Sequence, residues 1–261
     1  MDRLFILHTS YVNSKHNPDG LIYKHLLNRY KLQNLDDICE TDDAIENPAY
    51  FEARKKDWKI IPVGTVEFVQ EWLYMINPNT YMRPIEIPED IQYLANREYV
   101  FMKGKEIPKE KKTEEYFIKD ADHLKRWNNL LYFDESELDP DTLYVVSKRV
   151  DFESEYRVFV CRGEIVAIQN YLGDPTILPN GMYVRHMVEE YERKCQHPGS
   201  YTMDIGITKD EHRNFTTHLI EIHPFAACGL YGFYDKCICD MLEDGIRWYL
   251  HEQPACRSTN S

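Results

Sequence analysis

The sequence predicts an α+β protein in which a small α/β lobe at the N-terminus precedes a strand-rich region. Two observations predict this class. Strand–helix units follow one another before residue 88, and pairs of apolar strands separated by polar turns follow residue 116. The 261 residues, 43% of them hydrophobic, are enough to bury the core of such a fold.

The N-terminal lobe is predicted from two strands and two helices. The first helix follows Asp19–Gly20, a start signal, and the second has apolar residues at helical spacing with Thr65 at the N-cap position. The polar, acidic residues 34–57 carry no firm prediction. The predicted strands cover residues 4–8 and 59–64, and the predicted helices cover residues 21–30 and 65–76.

Three prolines between residues 78 and 88 mark a boundary after this lobe. A short helix is predicted to start at Pro88, and the charge run at 103–112 is typical of a solvated loop. We therefore expect an N-terminal lobe at 1–88, a second domain at 89–252 and a flexible tail at 253–261.

Beyond the boundary, strands dominate the pattern. Residues 156–160 and 164–171 are predicted to form one hairpin, with Gly163 in its turn, and residues 201–208 and 217–225 a second hairpin. Further strands are predicted at 116–119 and 143–150, and helices at 182–194 and 233–249.

Composition excludes several classes of protein. The net charge of −13 argues against general nucleic-acid binding, because a polyanion normally meets a basic surface. The seven cysteines are odd in number and include no CxxC pair, so we expect reduced thiols rather than disulfides or a zinc site. No run approaches the roughly 18 apolar residues of a membrane span, and the N-terminus lacks a signal-peptide pattern. A cytoplasmic protein is predicted.

The second hairpin carries a candidate metal site. Asp204 lies in one strand and Glu221 in the other, with the turn near residue 212, so the two positions come out roughly opposite each other. His223 leaves the same strand face as Glu221. Opposed carboxylates repel unless a cation lies between them, and Mg²⁺ favours oxygen ligands. The alternative is a solvated polar face of the sheet.

Several charged side chains could bind phosphate. Lys119 ends a predicted strand, and Lys125 follows in a loop. Glu155 and Arg157 share a strand face, and Arg157 could bind phosphate oxygens in bidentate fashion. Arg185 lies among apolar residues, so we expect it to approach the interior. Taken singly, each cation is typical of a protein surface, and the information lies in their order along the chain.

That order is a lysine strand, an extended strand, a Glu-x-Arg strand, an Asp strand and a Glu-x-His strand. In this order the sequence resembles the ATP-grasp superfamily, and it looks most like a clade of small ATP-grasp proteins common in bacteria and their phages. The resemblance covers roughly residues 60–250, and IPVGTVEFV resembles the segment ahead of the core of that clade. The matching core segments are YFIKD, SEYRVFVCRGEIV, MVEEY, YTMDIGIT and LIEIHPFAACGLYG.

The resemblance implies a fold in which two α+β lobes hold ATP between them. Lys119 would contact the ATP phosphates, and Glu155 would stand near the nucleotide. The strand around residues 145–148 would form a hinge whose backbone binds adenine, with Val146, Ser147 and Lys148 beside the base.

The resemblance also implies a metal site and catalytic cations. Asp204 and Glu221 would ligate Mg²⁺. His223 occupies the position where the family often has asparagine, so Mn²⁺ is possible as well, because imidazole suits transition metals better; His223 could instead bind substrate. The loop after Lys119 lacks the glycines that many members have. We assign catalytic roles to three cations: Lys125, Arg157 and Arg185.

The predicted function is an ADP-forming ligase that joins a carboxylate to an amine through an acyl phosphate. The substrates would be small molecules or peptides, and the sequence makes no prediction of the oligomeric state. Two other functions fit the same pattern: a kinase that phosphorylates a hydroxyl, and a nucleotide-binding module without catalysis.

Overall fold

The computed structural model describes residues 2–31, 37–43, 47–113, 115–122 and 138–254. Within them the chain forms three sheets: a parallel sheet of three strands, an antiparallel sheet of three and an antiparallel sheet of four. The described helices lie mainly beside the first and the third sheet.

The N-terminal lobe is a parallel sheet with the strand order β2-β1-β3. Its central strand β1 is buried along most of its length, as expected for a parallel strand covered on both faces. The strand–helix predictions are confirmed, and β2 and α3 form within residues 34–57, for which no firm prediction was possible. The elements are β1 (Arg3–His8), α1 (Thr9–Val12), α2 (Pro18–Lys31), β2 (Asp37–Thr41), α3 (Pro48–Lys55), β3 (Lys59–Val63) and α4 (Val66–Ile76).

The middle sheet has the order β4-β6-β5, so β6 is paired on both edges. Strand β4 was not predicted. The charge run at 103–112 is not simply a solvated loop, since it contains the end of β4 and two 3₁₀ turns, and Ile107 is buried. The elements are a 3₁₀ helix at Glu89–Ala95, β4 (Tyr99–Lys103), β5 (Tyr116–Asp120) and β6 (Leu143–Lys148).

The large sheet has the order β10-β9-β7-β8 and contains both predicted hairpins. A final helix is also confirmed, although it starts at Ile238 and ends in a π-helical turn. The elements are β7 (Ser154–Cys161), β8 (Glu164–Gly173), α5 (Gly181–Lys194), β9 (Ser200–Lys209), β10 (Phe215–Pro224), α6 (Ile238–Arg247) and the π turn Trp248–Glu252.

The two faces of strand β9 have different neighbours. Tyr201, Met203 and Ile205 are fully buried on one face, where the Tyr201 ring packs edge-on against Tyr191 of α5. Asp204 points to the opposite face, because successive side chains of a strand alternate. Helix α5 therefore covers the face of the sheet that lies away from Asp204.

The remaining general features concern the thiols, the tail and the helices. The six cysteines within the described residues are all free. Gln253, in the predicted tail, donates a hydrogen bond to the carbonyl of Tyr81 at 3.0 Å. No helix in the described part of the chain combines the length and the apolar character needed to cross a membrane.

Candidate active site

Two carboxylates meet where β9 pairs with β10. Asp204 and Glu221 are register partners, and a β-bulge lies between Leu219 and Glu221. Because of this extra residue, Leu219 pairs with Ile205 on the buried face while Glu221 shares the other face with Asp204. The predicted opposition of the two carboxylates is confirmed, and the bulge is the local feature that produces it.

An imidazole completes this cluster. His223 Nε2 lies 2.8 Å from Glu221 Oε1. Potential ligand atoms of Asp204, Glu221 and His223 all lie within 4.8 Å of one another. Carboxylate oxygens are the preferred ligands of Mg²⁺, and an imidazole beside them suits Mn²⁺ and other transition metals. The donor atoms and their spacing therefore fit a divalent cation.

Asp204 is held by a buried arginine. Strand β7 lies beside β9 with Arg157 in register with Asp204, and Arg157 Nε and Nη2 each donate to the carboxylate at 2.7 Å. Burial alone would lower the pKa of Arg157, but the Asp204 carboxylate raises it above its ordinary value. The guanidinium thus binds Asp204 in the bidentate manner that we predicted for phosphate.

Lys119 reaches the same cluster from the middle sheet. Its Nζ lies 2.8 Å from Glu221 Oε2 and 2.8 Å from Glu86 Oε1. Burial would lower the pKa of Lys119, but Glu221 and Glu86 together raise it above its ordinary value. Burial likewise would raise the pKa of Glu221, but Lys119 and His223 hold it well below its ordinary value. The ammonium of Lys119 and the carboxylate of Glu221 are therefore both charged near neutral pH.

Sequence reasoning missed two residues of this site. Glu86 lies in the proline-rich stretch, outside any repeating pattern. Arg97 Nε donates to Ser147 Oγ at 2.9 Å, and its Nη1 donates to the Leu219 carbonyl at 2.7 Å. Arg97 thus ties the middle sheet to the bulge in β10. Neither residue lies at a helical or strand spacing that a sequence pattern could have revealed.

A cleft of about 360 Å³ opens beside these charges, between the middle and the large sheet. This volume falls in the range of about 300–1,000 Å³ that is typical of small-molecule sites. Apolar and aromatic side chains line one part of the cleft: Phe117, Val145, Val150 and Phe152. Charged and polar side chains line the rest, among them Lys119, Ser147, Lys148, Glu155, Tyr171 and Glu221.

Glu155 stands on the cleft wall, as expected. The Tyr171 hydroxyl donates to its Oε2 at 2.6 Å. Burial raises the pKa of Glu155 above its ordinary value, although the hydrogen bond from Tyr171 opposes this. Glu155 is therefore the carboxyl group of this cleft that most readily takes up a proton.

Three predicted positions differ from expectation or lie outside the description. Val146 does not line the cleft, since its side chain is buried in a separate cluster with Ile118, and β6 is paired along both edges there. Its predicted contact with the base is therefore wrong. Arg185 is exposed on α5, on the far side of the sheet from Asp204, so the expectation that it approaches the interior is also wrong. Lys125 lies outside the described residues.

Comparison with known protein families gives one match. A family model described as an ATP-grasp domain, the second family of its clade, matches residues 94–241. No curated protein matches the chain.

Solved structures share the fold along most of the chain. D-alanine–D-alanine ligase from Bacillus anthracis superposes with a TM-score of 0.51 at 12% identity, covering 95% of this chain and 98% of that chain. The same ligase complexed with ATP gives a TM-score of 0.50 at 13% identity, covering 94% and 97%. N5-carboxyaminoimidazole synthetase from Staphylococcus aureus gives 0.52 at 10% identity, covering 94% and 77%. At such identities the likeness concerns the fold.

Proposed function

The chain belongs to the ATP-grasp superfamily, and from that premise we propose that it is an ATP-dependent ligase that joins a carboxylate to an amine. The predicted ATP-grasp fold is confirmed. The ligase proposal rests on the charged cluster in the cleft, because a lysine from one sheet meets the candidate metal site of another there. Such an arrangement can hold a triphosphate by its charge while leaving room for a second substrate.

The nucleotide fits the cleft with its base at the apolar end. Lys148 ends β6, and residues 149–153 belong to no strand. Val150 and Phe152 line the cleft just beyond, opposite Phe117. An adenine ring placed against these side chains would extend its phosphates towards Lys119, whose ammonium can pair with phosphate as a point charge.

The residues around the phosphates supply positioning and charge. A divalent cation held by Asp204, Glu221 and His223 would neutralise charge on the phosphate oxygens. Arg157 keeps the Asp204 carboxylate in one orientation through two hydrogen bonds. Lys119 stabilises the negative charge of the transferring phosphoryl group, a type of electrostatic assistance that usually dominates such reactions.

The reaction needs no nucleophile from the protein. A substrate carboxylate oxygen attacks the γ-phosphorus of ATP, the bond to the β,γ-bridging oxygen breaks, and ADP leaves. The amine nitrogen of the second substrate then attacks the acyl carbon, inorganic phosphate leaves, and the nitrogen loses a proton. The products are an amide, ADP and phosphate.

The test is turnover by the purified protein with ATP, Mg²⁺ or Mn²⁺ and a panel of amino acids and peptides. We expect ADP and phosphate in equal amounts, together with an amide that mass spectrometry identifies. A stable phosphorylated product without an amide would identify a kinase instead. ATP binding without turnover under every mixture would identify a nucleotide-binding module and contradict the proposal.

The site assignment is tested by removing both carboxylate charges. The double variant Asp204→Asn, Glu221→Gln should lose turnover by about 100-fold or more, because the cation loses two of its ligands. The matched control is Glu211→Gln, which changes an exposed carboxylate at the tip of the same hairpin. Unchanged turnover in a double variant that unfolds at the wild-type temperature would exclude this site.

A further inference from the structure

Glu86 is a buried carboxylate in an unusual backbone conformation. It lies in the stretch that joins the N-terminal lobe to the middle sheet, with only 1% of its surface exposed. Its φ of 60° places it in the left-handed region, which residues other than glycine rarely adopt. Such strain persists where the surrounding contacts over-determine it, and it concentrates at functional sites.

Both oxygens of Glu86 have partners. Oε1 lies 2.8 Å from Lys119 Nζ, and Oε2 accepts a hydrogen bond from the Tyr99 hydroxyl at 2.9 Å. The same hydroxyl oxygen accepts from the backbone N–H of Ile87 at 3.3 Å. Tyr99 therefore fixes the side chain and the adjacent backbone together, and the carboxylate has one orientation, aimed at Lys119.

Lys119 shares its ammonium between Glu86 and Glu221. These two partners differ, because Glu221 belongs to the candidate metal cluster whereas Glu86 lies outside that cluster. When a cation and a triphosphate enter, Glu221 can exchange Lys119 for the cation. Glu86 has no such alternative, and it remains to hold the ammonium at the cleft wall, which both residues line.

We propose that Glu86 is the positioning residue of Lys119, which keeps the ammonium directed at the phosphates after Glu221 turns to the cation. This role rests on the proposed function, because it presupposes a triphosphate in the cleft. It has an electrostatic consequence as well. A negative charge beside the phosphate site weakens binding of the nucleotide, so Glu86 lowers ground-state affinity while it orders Lys119 for the transition state.

The isosteric variant Glu86→Gln separates these effects. We expect kcat to fall about tenfold or more, because Lys119 loses its fixed orientation. We expect the Kd for a non-hydrolysable ATP analogue, measured by calorimetry, to become about two- to fivefold smaller, because one negative charge is removed near the phosphates. Glu86→Asp keeps the charge but shortens the reach, so kcat should fall without tighter binding, which provides the test if the glutamine variant does not fold.

The control is another buried carboxylate in ion pairs. Asp244→Asn removes a charge that contacts Arg162 and Arg247 outside the cleft. This variant should lose thermal stability with kcat and Kd unchanged in the folded fraction. If Glu86→Gln behaves like Asp244→Asn, or if its nucleotide affinity weakens, the proposal is overturned. The calorimetry needs no turnover, so it decides on Glu86 even if no ligase activity is found.

Discussion

At the scale of single residues, His223 is the side chain that should decide which cation binds. Its imidazole lies in the same cluster as the two carboxylates. Imidazole nitrogen binds Mn²⁺ and other transition metals well and Mg²⁺ poorly. Asparagine at this position would offer an amide oxygen instead, which suits Mg²⁺. The identity of one ligand therefore sets the preference of the whole site.

The variant His223→Asn should shift this preference. We expect the wild-type protein to bind Mn²⁺ more tightly than Mg²⁺, and the ratio of the two dissociation constants to fall by about tenfold in the variant. Calorimetric titration with each metal, with Mn²⁺ binding checked by electron paramagnetic resonance, measures this ratio. His212→Asn, at the exposed tip of the hairpin, serves as the control. An identical ratio in all three proteins would exclude His223 as a ligand.

At the scale of elements, the β9–β10 hairpin is held by contacts that lie behind the site. Arg97 bonds to the carbonyl of Leu219 at the bulge. His218 Nδ1 donates to the Ala95 carbonyl at 3.0 Å, and its Nε2 lies 2.7 Å from Thr208 Oγ1. These bonds attach β10 to the 3₁₀ helix Glu89–Ala95 and to β9, so the register of the hairpin depends on neutral His218 remaining buried.

His218 should make the folded protein less stable in acid. Burial lowers its pKa below the ordinary value of 6.5, with a smaller contribution from Arg97. As the pH falls below 6.5, the unfolded chain takes up a proton on this residue before the folded chain does. The stability that neutral His218 contributes is therefore complete above pH 6.5 and is lost progressively at lower pH.

Denaturant unfolding at several pH values checks this expectation. The free energy of unfolding of wild type should fall more steeply between pH 6.5 and pH 5 than that of His218→Gln, by at most about 1.4 kcal/mol per pH unit. His212→Gln, which removes an exposed histidine, should retain the wild-type slope. Equal slopes in all three proteins would show that His218 titrates alike in the folded and unfolded states.

At the scale of the whole molecule, the charged site is assembled from separate parts of the chain. Glu86 comes from the connecting stretch, Lys119 from the middle sheet, and the metal cluster from the large sheet. The N-terminal lobe is attached to the same body, since Arg3 pairs with Asp240 at 2.9 Å. A ligand that contacts all these parts would connect regions that are far apart in sequence.

The parts of the site that lie in regular strands could be predicted from the sequence. Alternation placed Glu221 and His223 on one face, and the motif order supplied Lys119 and Arg157. Glu86 and the bulge were not predictable, because both depend on tertiary contacts without a periodic signal. Arg185 was misplaced because its apolar neighbours face the sheet while the arginine itself faces solvent. The division of the chain at residue 88 stays a prediction.

A structure of the protein with a non-hydrolysable ATP analogue and Mn²⁺ would decide whether this cleft is a nucleotide and metal site. We predict an anomalous scattering peak between Asp204 and Glu221, a phosphate oxygen within hydrogen-bond distance of Lys119, and the adenine ring beside Phe117 and Phe152. Nucleotide bound elsewhere, or Mn²⁺ bound without contact to Asp204 and Glu221, would contradict the proposed site.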